Sequence, residues 1–354
     1  MLFWQGRRVF VTGHTGFKGA WLCAWLKRLG AEAAGFALPA PAGKSLCLQM
    51  QLEGKMSATH GDIRNGRTLA ATIAEFQPEV IFHLAAQPLV VLSYSEPVET
   101  FATNVMGTVN VLEAVRRTPS IRAAVIVTSD KCYENHGPAA AYSEVDRLGG
   151  DDPYSASKAC AELVTQAWRH SFFLPDGGAA IASVRAGNVI GGGDWAENRL
   201  VPDCIAAFGQ GRPIVLRNPD ACRPWQHVLD ALCGYLLVAE RLVAGDASAA
   251  RAWNFGPASG PVVTVAEIVQ RLAALWGAGA GWSRGAAPTP YEAAYLAVDS
   301  SLARSALNWL PRLALPQALN WTAAWYRREH DGEDAARLVA EQLSAYEANA
   351  EILA

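Results

Sequence analysis

Tyr154 and Lys158 stand four residues apart in Tyr154-Ser155-Ala156-Ser157-Lys158. On a helix that spacing puts both on one face, a single turn apart. An ammonium beside a phenol favours the phenolate, so the pair is expected to lower the tyrosine pKa and make a general base near neutral pH. Upstream, the apolar run Ala123–Val127 empties into Thr128-Ser129-Asp130-Lys131-Cys132-Tyr133. A buried strand delivering hydroxyl, carboxyl and amine groups at its carboxyl end is where open α/β sheets place their chemistry. The plainer reading of Asp130 is a turn or capping residue.

The elements that must position these groups follow in order. Arg8–Thr12 reads as a strand, followed by Gly13-His14-Thr15-Gly16-Phe17-Lys18-Gly19 and a helix to about Leu29. The spacing is G-x-x-G-x-x-G, whose glycines permit a tight turn and close backbone approach to a pyrophosphate at the helix amino terminus. A second strand, 31–37, ends in Phe36-Ala37-Leu38-Pro39, without the acid that often holds an adenosine ribose, and Glu32 comes too early. The choice between NAD and NADP stays open on this element. A third strand spans 56–59. After it, Asp62 and Ile63 either grip an adenine or, for Asp62, cap the helix 65–76. The fourth strand, 80–83, leads into Leu84-Ala85-Ala86-Gln87-Pro88, small enough for a cofactor to lie against the backbone. Pro97–Arg117 reads as one long helix in which Asn104 fixes a kink, faces the site or is a buried structural residue. Alternating strands and helices specify a parallel sheet covered on both faces.

Past the strand 180–185 the regular repeat loosens into short helices, short strands and Gly/Pro turns. Asn188, Arg199, Arg217 and Arg223 are its candidate anion contacts. Arg223-Pro224-Trp225-Gln226-His227-Val228 joins a guanidinium to aromatic groups, suited to a phosphate and a flat base. Asp299 is expected to cap a helix through Leu307. The division expected is a dinucleotide-binding domain over 1–186, completed by parts of 226–256 and 300–328, and a smaller mixed α/β substrate lobe over 187–354. The helices 97–117 and 154–173 carry apolar residues on more than one side, as a dimer interface does.

Composition narrows the class. The 354 residues are 51% hydrophobic and 18% charged, with net charge -3, so nothing drives the chain generally toward nucleic acid or an anionic membrane. Its seven cysteines are scattered, with no C-x-x-C pair, which argues against a disulfide framework or metal cluster and for a reducing, cytoplasmic setting. Met1–Arg8 lacks the order of a signal peptide. No apolar run is long enough to span a bilayer.

The chain resembles the extended short-chain dehydrogenase/reductase superfamily through Thr12–Gly19, His83-Leu84-Ala85-Ala86-Gln87, Asn104-Val105-Met106-Gly107-Thr108 and Tyr154–Lys158. More narrowly it is similar to the CDP-glucose 4,6-dehydratase family. The specific features are Gly-His-Thr-Gly-Phe-Lys-Gly at 13–19, Ser129–Tyr133, the stretch Gly192-Gly193-Asp194-Trp195 to Asp203, and Arg223–Val228. The resemblance implies a Rossmann-type doubly wound sheet and a tightly held NAD. Residues 13–19, Asp62, Ile63, Leu84, Ala85, Ala86, Asn104, Thr128, Tyr154 and Lys158 would contact NAD. Gln87, Asn188, Arg199, Leu200, Arg217, Arg223, Tyr291 and Tyr295 would hold CDP-glucose. It further implies that Tyr154 deprotonates the C4 hydroxyl, Lys158 tunes Tyr154 and Ser129 binds the reacting oxygen. Relatives place Asp-Glu after the Ser or Thr; Asp130-Lys131 here makes Asp130 the acid for the C6 hydroxyl. Lys131 is then the C5 base, if neutral, or an enolate stabiliser. A homodimer or homotetramer is expected, with no metal. The rivals are another nucleotide-sugar dehydratase or 4-epimerase on this scaffold and, more distantly, a non-catalytic dinucleotide sensor; only a dehydratase needs an acid at C6.

Overall fold

The computed structural model describes residues 3–137, 141–173, 178–257, 263–277, 279–285 and 293–353. Short apolar runs, each followed by a helix, build the expected doubly wound sheet. Its strands are β1 (Arg8–Thr12), β2 (Glu32–Ala37), β3 (Ser57–His60), β4 (Val80–His83), β5 (Ala123–Val127), β6 (Ala180–Ala186) and the late strand Ala252–Phe255. Across the sheet they lie in the order late strand, β6, β5, β4, β1, β2, β3, with every pair parallel. The order reverses between β1 and β4, so a crevice opens there at the carboxyl ends.

Alternate residues of β1, β4 and β5 feed two apolar layers. Val9, Val11 and Val125 pack with Trp21 and Leu22 of α1 (Phe17–Arg28). Phe10, Ile81 and Ile126 pack on the other face with Leu69 of α3 (Gly66–Phe76). Between these, the short α2 (Leu46–Gln49) follows β2. The late strand beside β6 belongs to this sheet, and α9 (Val228–Val243) covers β5 and β6 on the α1 side. Chain from the carboxyl half is thus woven into the amino-terminal half.

The segment Pro97–Arg117 is not one regular helix. After α4 (Val90–Ser95) it runs as α5 (Pro97–Phe101), a π-helical stretch Ala102–Met106 and α6 (Gly107–Arg117). The cause is Asn104, buried inside the wide turn. Its Oδ1 accepts from Gln87 N–H at 2.8 Å, while its Nδ2 donates to Gln87 O at 3.0 Å and to Ser157 Oγ at 2.9 Å. A π-turn holding a polar side chain is typical of a constrained site. Near β3, the helix cap is Asn65, which accepts from Thr68 N–H at 3.1 Å, and not Asp62. In the carboxyl half, Asp299 accepts from Ser301 N–H at 2.8 Å where the helix Ser301–Leu307 begins.

His83 ties three of these pieces together. Its Nδ1 lies 2.8 Å from Thr12 Oγ1 and its Nε2 lies 3.1 Å from Thr108 Oγ1. Thr108 spends its proton on Asn104 O at 2.7 Å, so the neutral ring carries its proton on Nε2 and accepts from Thr12. Burial, with help from Lys158, lowers the His83 pKa from 6.5 to about 3. In the unfolded chain the ring titrates near its ordinary value, so unfolding takes up a proton between about pH 6.5 and pH 3. This contribution is complete above pH 6.5 and is lost on acidification, at up to about 1.4 kcal/mol per pH unit. Urea midpoints measured across that range should fall with pH, and His83→Asn should flatten the decline; an unchanged slope would contradict the neutral, buried ring.

Candidate active site

The glycine loop is built by close approach. Gly13 has φ +79°, and a Cβ there would lie 2.7 Å from Ala85 N; one on Gly19 would lie 2.1 Å from Gly13 O. No side chain fits either place, which brings the backbone of Leu84–Ala86 against the loop and leaves the first turn of α1 clear for a phosphate. No side chain caps that turn, since its N-cap is Gly16. Thr15 Oγ1 donates to Leu38 O at 3.0 Å, fastening the loop to the end of β2. His14 is fully buried over β2, where a Cβ on Gly35 would meet its ring at 2.5 Å. Its Nε2 lies 3.1 Å from Glu53 Oε1, and His60 Nε2 lies 2.8 Å from the same oxygen. Sequence alone gave no acid at this end of β2; Glu53 arrives there from the β2–β3 connection.

The two neighbours expected at the adenine differ: Ile63 turns inward and Asp62 stays half-exposed. Ile63 is buried, and a Cβ on Gly107 would touch it. Asp62 is held by Arg64, whose Nε donates to Oδ2 at 2.9 Å and which lowers the carboxyl pKa. The polar groups of Asn104 are spent on Gln87 and Ser157, so it shapes the loop. Gln87 does likewise: its Oε1 accepts from Leu89 N–H at 2.6 Å and its Nε2 donates to Thr100 Oγ1 at 2.9 Å. It is Pro88 and Leu89, rather than Gln87, that line the cleft.

At the end of β5 the chain enters a single turn, Asp130–Cys132, capped by Ser129, whose Oγ accepts from Lys131 N–H at 3.2 Å. The same Oγ donates to Asp130 Oδ1 at 3.0 Å and is hydrogen-bonded to the Tyr154 phenol. Asp130 is 2% exposed, and its Oδ2 has no partner. Burial raises its pKa, opposed by Lys131, the Ser129 hydrogen bond, Arg223 and Lys18. A carboxyl in this state is an acid waiting for a base or a leaving group. Lys131 is half-buried beside it in the cleft wall.

Tyr154 enters through α7 (Pro153–Trp168), whose cap, Asp152, accepts from Ser155 N–H at 2.9 Å. Burial pushes the phenol up to about 12, against the pull of Ser129 and Arg199. This differs from the expectation that Lys158 lowers it. The Lys158 amine reaches down to the β5 end, donating to Val127 O at 3.3 Å. Its own pKa falls to about 8, through burial and then the nearby Lys18.

One turn further on, Glu162 was not foreseen as part of the site, although the i, i+4 step from Lys158 marks it. Its carboxylate accepts from Thr128 Oγ1, from Ser183 Oγ at 2.7 Å and from Arg185 Nη2 at 2.8 Å. Arg185 also donates to Tyr133 OH at 2.7 Å. Thr128 therefore faces Glu162 as well as lining the cleft.

Opposite this cluster, β7 (Val189–Ile190), α8 (Leu200–Gly209) and β8 (Ile214–Leu216) form the second wall. The cleft between the walls, open to solvent, holds a cavity of about 300 Å³, and Asn188, Arg199, Leu200, Arg217 and Arg223 line it together with Ser129, Asp130, Lys131 and Tyr154. Arg199 Nη1 donates to buried Asp194 Oδ2 at 3.0 Å. Arg223 is 4% exposed and donates to Cys222 O at 2.8 Å. Phe17 and Lys18 reach in from the glycine loop; burial and then Arg199 bring the Lys18 pKa down to about 8. Tyr295 stands outside the cleft lining, its backbone bridged to Cys222. Tyr291 lies outside the described residues. A cleft with cations along one wall and an acid–phenol pair at its end can bind a diphosphate and protonate or deprotonate what hangs from it.

Known proteins share this fold. Residues 9–256 match the NAD dependent epimerase/dehydratase family. The chain is 50% identical to a CDP-glucose 4,6-dehydratase of Salmonella typhimurium over 336 residues, 94% of each chain. It is 28% identical to a dTDP-glucose 4,6-dehydratase of Xanthomonas campestris over 75% of this chain and 77% of that one. In fold it is similar to a Bacillus anthracis dTDP-glucose 4,6-dehydratase solved in complex with NAD, with TM-score 0.76, 23% identity and coverage of 94% and 100%. It is also similar to a Thermotoga maritima UDP-glucose 4-epimerase solved with UDP-glucose, with TM-score 0.79, 19% identity and coverage of 91% and 99%. With more than half its length matched and half its residues identical to a relative of nearly equal span, the chain belongs to the NAD dependent epimerase/dehydratase family.

Proposed function

We propose that this chain dehydrates CDP-glucose to CDP-4-dehydro-6-deoxyglucose, a lyase reaction without net redox change. The observation that carries this reading is Asp130, a buried carboxyl of raised pKa with one unpartnered oxygen, hydrogen-bonded through Ser129 to Tyr154. Moving hydride at C4 needs only the phenol. Expelling a hydroxyl from C6 needs an acid as well, and the cleft holds one. The 50% identical relative directs the substrate choice to CDP-glucose.

The glycine cradle at Gly13 and Gly19, with the first turn of α1 unobstructed, fits a dinucleotide pyrophosphate. Residues 13–19 and Leu84–Ala86 would hold it, with Lys158 toward its nicotinamide ribose. Bound there, NAD would supply an acceptor for the C4 hydride and, once reduced, the donor for its return to C6. Tyr154 removes the C4 hydroxyl proton while Ser129 holds the reacting oxygen. The ketone so formed acidifies C5–H. Lys131 takes that proton as a neutral amine and returns it to C5 when hydride reaches C6, or, as an ammonium, steadies the enolate while solvent water takes and returns the proton. Asp130 then protonates the departing C6 oxygen. Arg199 and Arg223 hold the diphosphate, so the sugar stays seated through the sequence.

The domain division at 186–187 is proposed as a functional one: carboxyl ends of the sheet hold the dinucleotide and the segments after β6 hold the nucleotide sugar. Seven free cysteines suit a reducing cytoplasm, and no described helix is long and apolar enough to cross a membrane. We further propose a homodimer or homotetramer. Packed side by side, α5, the π-helical stretch and α7 expose Val98, Met106 and Leu163 at 78%, 53% and 52%, apolar surface that a second copy would cover. A monomeric mass at micromolar concentration would contradict it.

Trapping with borodeuteride separates the catalytic roles. Tyr154→Phe should yield neither product nor trapped ketone from CDP-glucose. Asp130→Asn and Lys131→Ala should accumulate the 4-ketone, with dehydration slowed by roughly 10²- to 10⁴-fold. C5–H should still exchange with solvent in the Asp130 variant and not in the Lys131 variant. Normal dehydration by Asp130→Asn would remove it as the acid.

A further inference from the structure

We propose that Asp203 reads the nucleotide base, accepting a hydrogen bond from the exocyclic amino group of cytosine. The proposal deepens the CDP-glucose reading above and rests on it.

The cleft has a direction. Tyr154 and Asp130 mark the sugar end; among the guanidinium groups Arg199 bears on Tyr154, and Arg223, after Lys131 and the Ser129 hydrogen bond, bears on Asp130. Arg217, directly after β8, lines the same cleft and acts on Asp203. With the sugar against Tyr154 and the diphosphate between Arg199 and Arg223, the nucleoside extends toward Asp203, Arg217 and β8. Three carboxylates line the cleft, Asp130, Asp194 and Asp203, among the described residues. Asp130 belongs to the sugar end, and Asp194 is paired with Arg199 at 3.0 Å. Asp203 is the one left for the base.

Its setting is fixed. Asp203 sits on the first turn of α8, half-buried, and its carboxylate accepts a hydrogen bond from the Asn198 backbone, whose φ is +62°. Burial raises its pKa, opposed by that hydrogen bond and by Arg217, with Glu197 and Asp194 adding to the rise. A carboxylate offers only acceptors. Cytosine presents an amino donor where uracil and thymine present a carbonyl oxygen, so a carboxylate there attracts the first base and repels the other two. Ribose hydroxyls are also donors, but they are common to cytidine and uridine nucleotides, which makes the two contacts separable.

The test uses the full-length enzyme with CDP-glucose and UDP-glucose, and calorimetric binding of CDP and UDP. Asp203→Asn and Asp203→Ala should lower kcat/KM for CDP-glucose relative to UDP-glucose by roughly 10- to 100-fold, with the same shift in the CDP/UDP affinity ratio. The kcat on CDP-glucose should hold, because the sugar end is untouched. An equal loss for both nucleotides would overturn base reading in favour of a ribose or purely structural contact. An unchanged ratio would overturn it too. Wild-type enzyme inactive on CDP-glucose but active on another nucleotide sugar would instead overturn the substrate reading itself.

Discussion

One buried carboxylate, Glu162, holds the catalytic end together. It joins three elements: α7 that carries it, β5 through Thr128, and β6 through Ser183 and Arg185. Both Glu162 and Arg185 are almost wholly removed from water, at 3% and 4% side-chain exposure. An ion pair so placed gains little net stability, but loss of either partner strands a charge in the core. Its consequence is therefore geometric. The residue after Thr128 is Ser129, and one turn before Glu162 lies Lys158, so a network below the cleft sets the spacing of the groups within it.

Above that network the cleft sets cations against one acid. Lys18, Lys131 and Arg223 all favour the charged form of Asp130, yet burial prevails and its pKa rises. The same burial drives the Tyr154 phenol up and the Lys158 and Lys18 amines down. Asp130 and the two amines, whose ordinary pKa values lie far apart, are thereby drawn toward forms that can exchange protons in one cleft, while burial favours Tyr154 as the neutral phenol. The cationic wall at Arg199 and Arg223 serves the diphosphate and bears on the same groups.

Period and turn chemistry made the parallel sheet, the glycine loop and the Tyr154–Lys158 face legible in the sequence, since each depends on residues close along the chain. The late strand Ala252–Phe255 falls in the region 226–256 expected to complete the first domain, and its place beside β6 completes the sheet. Failures came where a side chain is answered from far away. Asn104 faces Gln87 and Ser157, so the helix containing it bends into a π-turn, and Gln87 turns from the cleft to its own loop. Lys158 reaches the β5 carbonyl end instead of depressing the phenol, because desolvation of Tyr154 outweighs a cation that bonds elsewhere. Glu53 at the end of β2 and Asp203 in the cleft lie on connections and short helices whose place no local pattern encodes.

The central claim is that oxidation at C4 and loss of water from C5–C6 occur in this one cleft, on one substrate molecule. CDP-glucose carrying deuterium at C4 tests it most directly. Mass spectrometry and proton NMR of the product should find the label at C6 of the molecule that lost water, with no transfer to unlabelled substrate mixed in equal amount. Label retained at C4, released to solvent or shared with the unlabelled pool would contradict the account.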